Sequence, residues 1–147
     1  MPNQLLIRLN APKKQTTQNW NNMNEKVNFL PTTRREMEAL GWSELDILLI
    51  TGDCYVDHPS FGVSLIGRWL MSFGYKVGLI PQFDWNDPTA LQVMGRPRLG
   101  CGVTSGNLDS MVNIYTAGRR LRKDDAYSED GQIGKRPAHA LIVYAQL

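Results

Sequence analysis

The chain is poor in the side chains that most metal and nucleophile chemistry draws on. Its 147 residues include two cysteines, Cys54 and Cys101, and two histidines, His58 and His139. Cysteines this far apart make neither a disulfide framework nor a zinc-ligand spacing, and they read as reduced thiols of a cytoplasmic protein. No apolar run approaches the ~20 residues of a membrane helix. Met1 to Asn10, with one Arg and a broken apolar pattern, makes a poor secretory signal. Charge of one sign is also scarce. Sixteen Lys and Arg against fourteen Asp and Glu leave +2, without the basic footprint of nucleic-acid modules. The densest basic cluster, Arg119, Arg120, Arg122 and Lys123, runs straight into Asp124 and Asp125 and reads as a solvated loop. Neither a membrane nor a nucleic acid is an expected partner.

What remains is enough for one core. A globular chain of 16.6 kDa buries roughly 68% of its unfolded surface. Residues 1–28 are rich in Asn and Gln and read as a poorly ordered arm, with the fold proper starting near Phe29 and running to residue 147. Thr33 and Glu36 predict a capping box for a helix that buries Met37 and Leu40 and closes at Gly41. Leu45 to Thr51, apolar but for Asp46, fits a strand covered on both faces. Pro59 to Phe73 predicts a longer helix, capped by Asp57 or Ser60, with Leu65, Ile66, Trp69, Leu70 and Phe73 as its buried stripe. Gly62 and Gly67 inside it suggest close packing on the sheet.

Tyr75 to Pro81 predicts a second strand. A short helix opens at Asp87-Pro88, facing Leu91 and Met94 inward. Leu99 to Thr104 predicts a third strand, and Gly106 to Asp109 start a helix with Met111, Val112 and Tyr115 inward. Residues 116–139 read as a long charged loop. Ala140 to Ala145 predicts a fourth strand, at a C-terminus where the sheet looks incomplete. Such alternation argues for an α/β fold with an open parallel sheet and right-handed crossovers.

In such a sheet, ligands gather outside the carboxyl ends of the strands. That rule selects the loops Thr51 to Ser60, Pro81 to Trp85 and Thr104 to Ser110. Phosphate motifs fail on inspection. Gly62 and Gly67 have the spacing of a phosphate-binding loop, but Arg68-Trp69 follows and both lie in a helix. Gly100, Gly102 and Ser105 make an incomplete dinucleotide fingerprint inside a strand. His58, beside Asp57, would need partners to act as a base or ligand and reads as a residue that fixes its turn. Cys54 lacks a visible base.

Several runs are specific. Phe29-Leu30-Pro31, Arg35-Glu36-Met37, Leu40-Gly41-Trp42 and Thr51-Gly52-Asp53-x-Tyr55-Val56-Asp57-His58-Pro59-Ser60-Phe61-Gly62 resemble the N-terminal domain of the YgiQ family of radical SAM proteins. So do Gly95-Arg96-Pro97, the run from Gly102 to Ala117, Asp124 to Ser128, and Gly134-Lys135-Arg136-Pro137. The resemblance covers Phe29 to the C-terminus. It implies a Rossmann-like domain, similar to cobalamin-binding domains, that precedes a catalytic barrel. It also implies a [4Fe–4S] cluster and S-adenosylmethionine in that downstream domain, held by a Cys-x3-Cys-x2-Cys motif that this chain lacks. The cobalamin signature Asp-x-His-x-x-Gly is absent as well, since Asp57 abuts His58.

The expected role is therefore an accessory domain, not catalytic alone, with no metal of its own. It would shape a substrate pocket or dock the radical SAM catalytic domain through Gly52, Asp53, Tyr55, Asp57, His58, Ser60, Thr104, Asn107, Asp109 and Ser110. The alternatives are a free-standing module that binds a flavin, nucleotide or corrinoid, and an interaction domain that makes contact through residues 116–139.

Overall fold

The computed structural model describes residues 29–147 apart from Asp109; the arm expected over residues 1–28 lies outside the described residues. Its element order is α1 (Arg34–Ala39), β1 (Ile47–Thr51), α2 (Gly62–Ser72), β2 (Val77–Pro81), a 3-10 turn (Pro88–Gln92), β3 (Gly100–Thr104), α3 (Ser110–Ile114), a second 3-10 turn (Glu129–Gly131) and α4 (Ala140–Gln146). The three strands form one parallel sheet in the order β2-β1-β3. Ile47 lies opposite Val77 and Gly100, and Thr51 opposite Pro81 and Thr104. The expected open parallel α/β sheet is therefore present.

Alternation along β1 splits the core in two. Leu48 and Ile50, with Ile80, pack on one face against Met37, Phe83, Met94, Ala140 and Tyr144. Leu49, with Val77 and Leu79, packs on the other against Leu30 and Met71. The 3-10 turn and α4 thus cover one face and α2 the other. Local signals behave as the chain predicts at several points. Thr33 and Glu36 form the capping box, with the Glu36 N–H donating to Thr33 Oγ1 at 3.2 Å. Asp87 caps the first 3-10 turn by accepting the Thr89 N–H at 3.0 Å.

Five expectations are corrected. The segment from Ala140 to Ala145 is not a strand but helix α4. Its buried residues, Ala140 and Tyr144, are four apart, and Leu141 and Ile142 between them are exposed, which is helical periodicity. A short apolar run cannot distinguish the two by composition; the sheet face left open by β1 and β3 decides it.

The stripe on α2 is also reversed. Ser64, Gly67 and Met71 face inward, Leu70 is half-buried, and Leu65, Ile66, Trp69 and Phe73 stand exposed, Trp69 by 60%. Gly67 explains the choice of face: a Cβ there would lie 2.5 Å from Leu30 Cδ1, so only this side of the helix comes close enough to seat Leu30. Gly62 has open space around it and no packing role. The cap differs too. Phe61 occupies the N-cap and makes no side-chain hydrogen bond. Finally, α3 presents Asn113 to the interior, while Met111 and Val112 are exposed.

Candidate functional site

The carboxyl ends of β1 and β3 lie side by side, and their loops meet. Thr51, Asp53, Thr104, Gly106 and Asn107, with Phe61, Val63 and Ile66, line a cleft of about 110 Å³. Backbone packing between the two loops is tight. A Cβ at Gly52 would sit 2.4 Å from the Ser105 carbonyl oxygen, and one at Gly106, where φ is +108°, would sit 2.0 Å from Asp53 Oδ1. Only glycine accepts that conformation without strain.

Beneath the cleft lies a dry ion network that sequence reasoning missed. The Arg136 guanidinium is 1% exposed. Its Nη1 donates to Asp53 Oδ1 at 2.8 Å and to the Ser105 carbonyl at 3.2 Å. Its Nε and Nη2 grip Asp125 at 2.7–3.0 Å. Asn113, with its amide oxygen turned to the guanidinium, accepts from Nη2 at 2.6 Å. Asp53 Oδ2 accepts the Asn107 N–H at 2.6 Å, and Asp125 accepts the Tyr127 N–H and the Ser128 hydroxyl. Every member is multiply bonded, as a buried charge requires.

The two carboxyls respond differently. Burial, the largest influence on Asp53, pushes its carboxyl above the usual range despite Asn107 and Arg136. Burial also pushes Asp125 up, but its hydrogen bonds to Arg136, Tyr127 and Ser128 outweigh that and leave it below the usual range.

Arg136 and Asp125 come from the stretch 116–139, read from the sequence as a long charged loop. It is a strap laid over the strand ends. Gln82, just after β2, holds it a second time: Nε2 donates to the Gly52 carbonyl at 3.1 Å and to Ser128 Oγ at 2.7 Å, and Oε1 accepts the Glu129 N–H. The Cys54 N–H donates to the Tyr127 carbonyl at 2.8 Å. The signal that could have revealed the strap was the specificity of its runs at Asp124 to Ser128 and Gly134 to Pro137.

The remaining candidates disperse. Tyr55 turns back to the chain entry, where its hydroxyl accepts the Leu30 N–H at 2.7 Å and its ring meets Phe29 edge-on. Asp57 does not join Asp53; it forms a two-point ion pair with Arg68 of α2, whose Nε lies 2.9 Å from Oδ1. His58 and Ser60 are exposed and bonded to each other. The Ser60 N–H donates to His58 Nδ1 at 3.2 Å, and its hydroxyl lies 2.6 Å from the same nitrogen. Nδ1 is therefore the acceptor and Nε2 carries the proton. Asp109 lies outside the described residues, and Ser110 begins α3.

Several chemistries do not fit this geometry. Burial, and then Asp53, push the Cys54 thiol up, away from the thiolate a nucleophile needs. The cleft is well below the ~300 Å³ of ordinary cofactor pockets. No group of three His, Cys, Asp or Glu side chains among the described residues is placed to hold a metal ion, so the donors present do not fit an iron–sulfur cluster. No helix among the described residues is long and apolar enough to cross a membrane.

Comparison with known proteins agrees with the specific runs. Residues 29–147 match a family model described as radical SAM N-terminal. The chain is 60% identical over 119 residues to a UPF0313 protein of Thermotoga petrophila, covering 81% of this chain and 21% of that one. It is 58% identical to one of Bradyrhizobium diazoefficiens, covering 80% and 18%, and 57% identical to one of Vibrio vulnificus, covering 80% and 15%. The chain thus spans about a fifth or less of the length of these curated relatives. No solved structure matches it. The chain belongs to the radical SAM N-terminal family.

Proposed function

We propose that this domain serves as the N-terminal accessory unit of a longer radical SAM protein. Its strand-end surface shapes a substrate pocket or docks the catalytic part, which supplies the [4Fe–4S] cluster and S-adenosylmethionine. The observation that carries this reading is the buried Asp53–Arg136–Asp125 network. It ties a strap and two loops together while leaving Asn107 exposed beside it, with His58 and Ser60 exposed further along the loop that follows β1. A preorganised surface with a small cleft and no donor set for a metal suits positioning rather than bond-breaking. Within this reading, Asn107, His58 and Ser60 meet the partner surface or substrate. Gly52, Asp53 and Thr104 hold Asn107 in place, and Asp57 ties the turn before His58 to α2 through Arg68.

The test uses the Thermotoga petrophila protein with residues 29–147 of this chain in place of its matched region. His58→Ala with Asn107→Ala should lower reductive cleavage of S-adenosylmethionine or loosen the domain junction to limited proteolysis. Full activity together with an unchanged digestion pattern refutes the assignment.

A further inference from the structure

We propose that the outer edge of β3 receives a further parallel β-strand, supplied by the polypeptide that follows this domain in the longer members of the family. The inference rests on the accessory-domain reading above and names the surface through which the domain joins the rest of the protein.

The two edges of the sheet are treated differently. Beyond β2, the Leu79 N–H donates to the Pro31 carbonyl at 2.9 Å, so the chain's own entry segment occupies that side. Beyond β3, no strand pairs among the described residues. The edge is also undefended. Natural edges are blunted by Lys, Pro, bulges or inward charges, and the β3 sequence Gly-Cys-Gly-Val-Thr has none of these side chains. Cys101, its second residue, is exposed.

Crossover handedness selects the occupant. Connections between parallel strands are right-handed in nearly all cases. From β1 the chain crosses the Leu49 face by α2 and arrives at β2 on one side. From β2 it crosses the opposite face by the 3-10 turn and arrives at β3 on the other side. Helix α4 packs on that same opposite face, through Ala140 and Tyr144. A right-handed connection leaving β3 by that face moves onward in the same direction, so the next strand falls beside β3.

The space is shaped for it. An open groove of about 690 Å³ runs between the sheet and α4, walled by Leu48, Ile50, Leu91, Cys101, Val103 and Tyr144. Alternate side chains of an added strand would enter that groove while its backbone completed the β3 ladder, as in strand addition generally.

The experiment compares this chain with the Thermotoga petrophila chimera described above, by amide exchange and by N-ethylmaleimide modification of Cys101. The amides of Gly100–Thr104 that face away from β1 should exchange about tenfold or more slowly in the chimera, and Cys101 should be protected by a similar factor. Amides of Val77–Ile80, on the side where the entry segment already lies, should not change. If the chimera does not fold, the unaltered Thermotoga protein read at its matching segment serves in its place.

Equal exchange at β3 in both proteins overturns the proposal. If α2 around Trp69 becomes protected instead, the domain docks by another face: the accessory reading survives and this inference falls. If neither region changes, both fall. If this chain alone has the native mass of a dimer and β3 is already protected, a second copy occupies the edge and the proposal is wrong.

Discussion

The sheet is closed at each end by an arginine on aspartate, and the two closures could hardly differ more in surroundings. At the amino end, Asp46 accepts the Lys76 N–H at 2.9 Å and two contacts from Arg98, at 2.8 and 2.7 Å. The Arg98 side chain is 59% exposed. At the carboxyl end, Arg136 is sealed between Asp53 and Asp125. Arg98 reaches water while Asp46 is buried, so the pair competes with solvent on the Arg98 side and is worth about 1 kcal/mol. The dry network gives little net stability over an apolar replacement, yet losing one partner strands a buried charge at a cost of about 3–5 kcal/mol. Similar chemistry thus staples a turn at one end and dictates the position of a distant strap at the other.

Arg136→Ala offers the harshest break in this contrast. It should cost about 3–5 kcal/mol in urea unfolding, and it should free the strap to proteolysis. Gly106→Ala should follow, at about 2 kcal/mol, because the added carbon meets Asp53 in a backbone region L-residues avoid. A thermal melt is a sufficient check, and an unchanged melting temperature would mean the two loops are not packed as described.

The two aspartates should then separate. Asp125 is held below its ordinary value of 3.8. Its contribution is therefore complete above that value and disappears as the pH falls through the lower folded value. Asp125→Asn should remove that acid-dependent loss from a pH series of melting temperatures. Asp53 is pushed the other way, by burial first, so its charge is held at a cost. Asp53→Asn should be milder, about 1 kcal/mol; a penalty equal to that of Asp125→Asn would contradict the asymmetry. Arg98→Ala should have the smallest effect, under about 1 kcal/mol. Salt should weaken it further, since the Arg98 side of the pair is exposed and screened.

Legibility followed the range of the interactions. The Thr33–Glu36 box and the Asp87 cap lie within four residues of their partners, and the chain displays them directly. The strands around Leu48 and Leu79 announce themselves because a two-sided core demands uninterrupted apolar residues. The loops after β1 and β3 meet, because parallel strands place their carboxyl ends together. The strap was not readable: Asp53 and Arg136 are 83 residues apart, and a charged stretch looks the same whether its charges meet water or each other. Asp57 is a related case: four residues from Asp53 in the chain, it pairs instead with Arg68, eleven residues on.

Periodicity, capping residues and turn glycines were enough to specify the three parallel strands, the helical segments between and before them, and the end of the sheet where polar loops collect. They act over a few residues and need no knowledge of the neighbours. Packing alone decided which side of α2 faces inward, that Ala140–Gln146 coils into a helix, and that Arg136 goes under the platform rather than into solvent. Each of those outcomes turns on which distant surface fills a given space. A hydrophobic or charged side chain carries no record of that until the chain has closed around it.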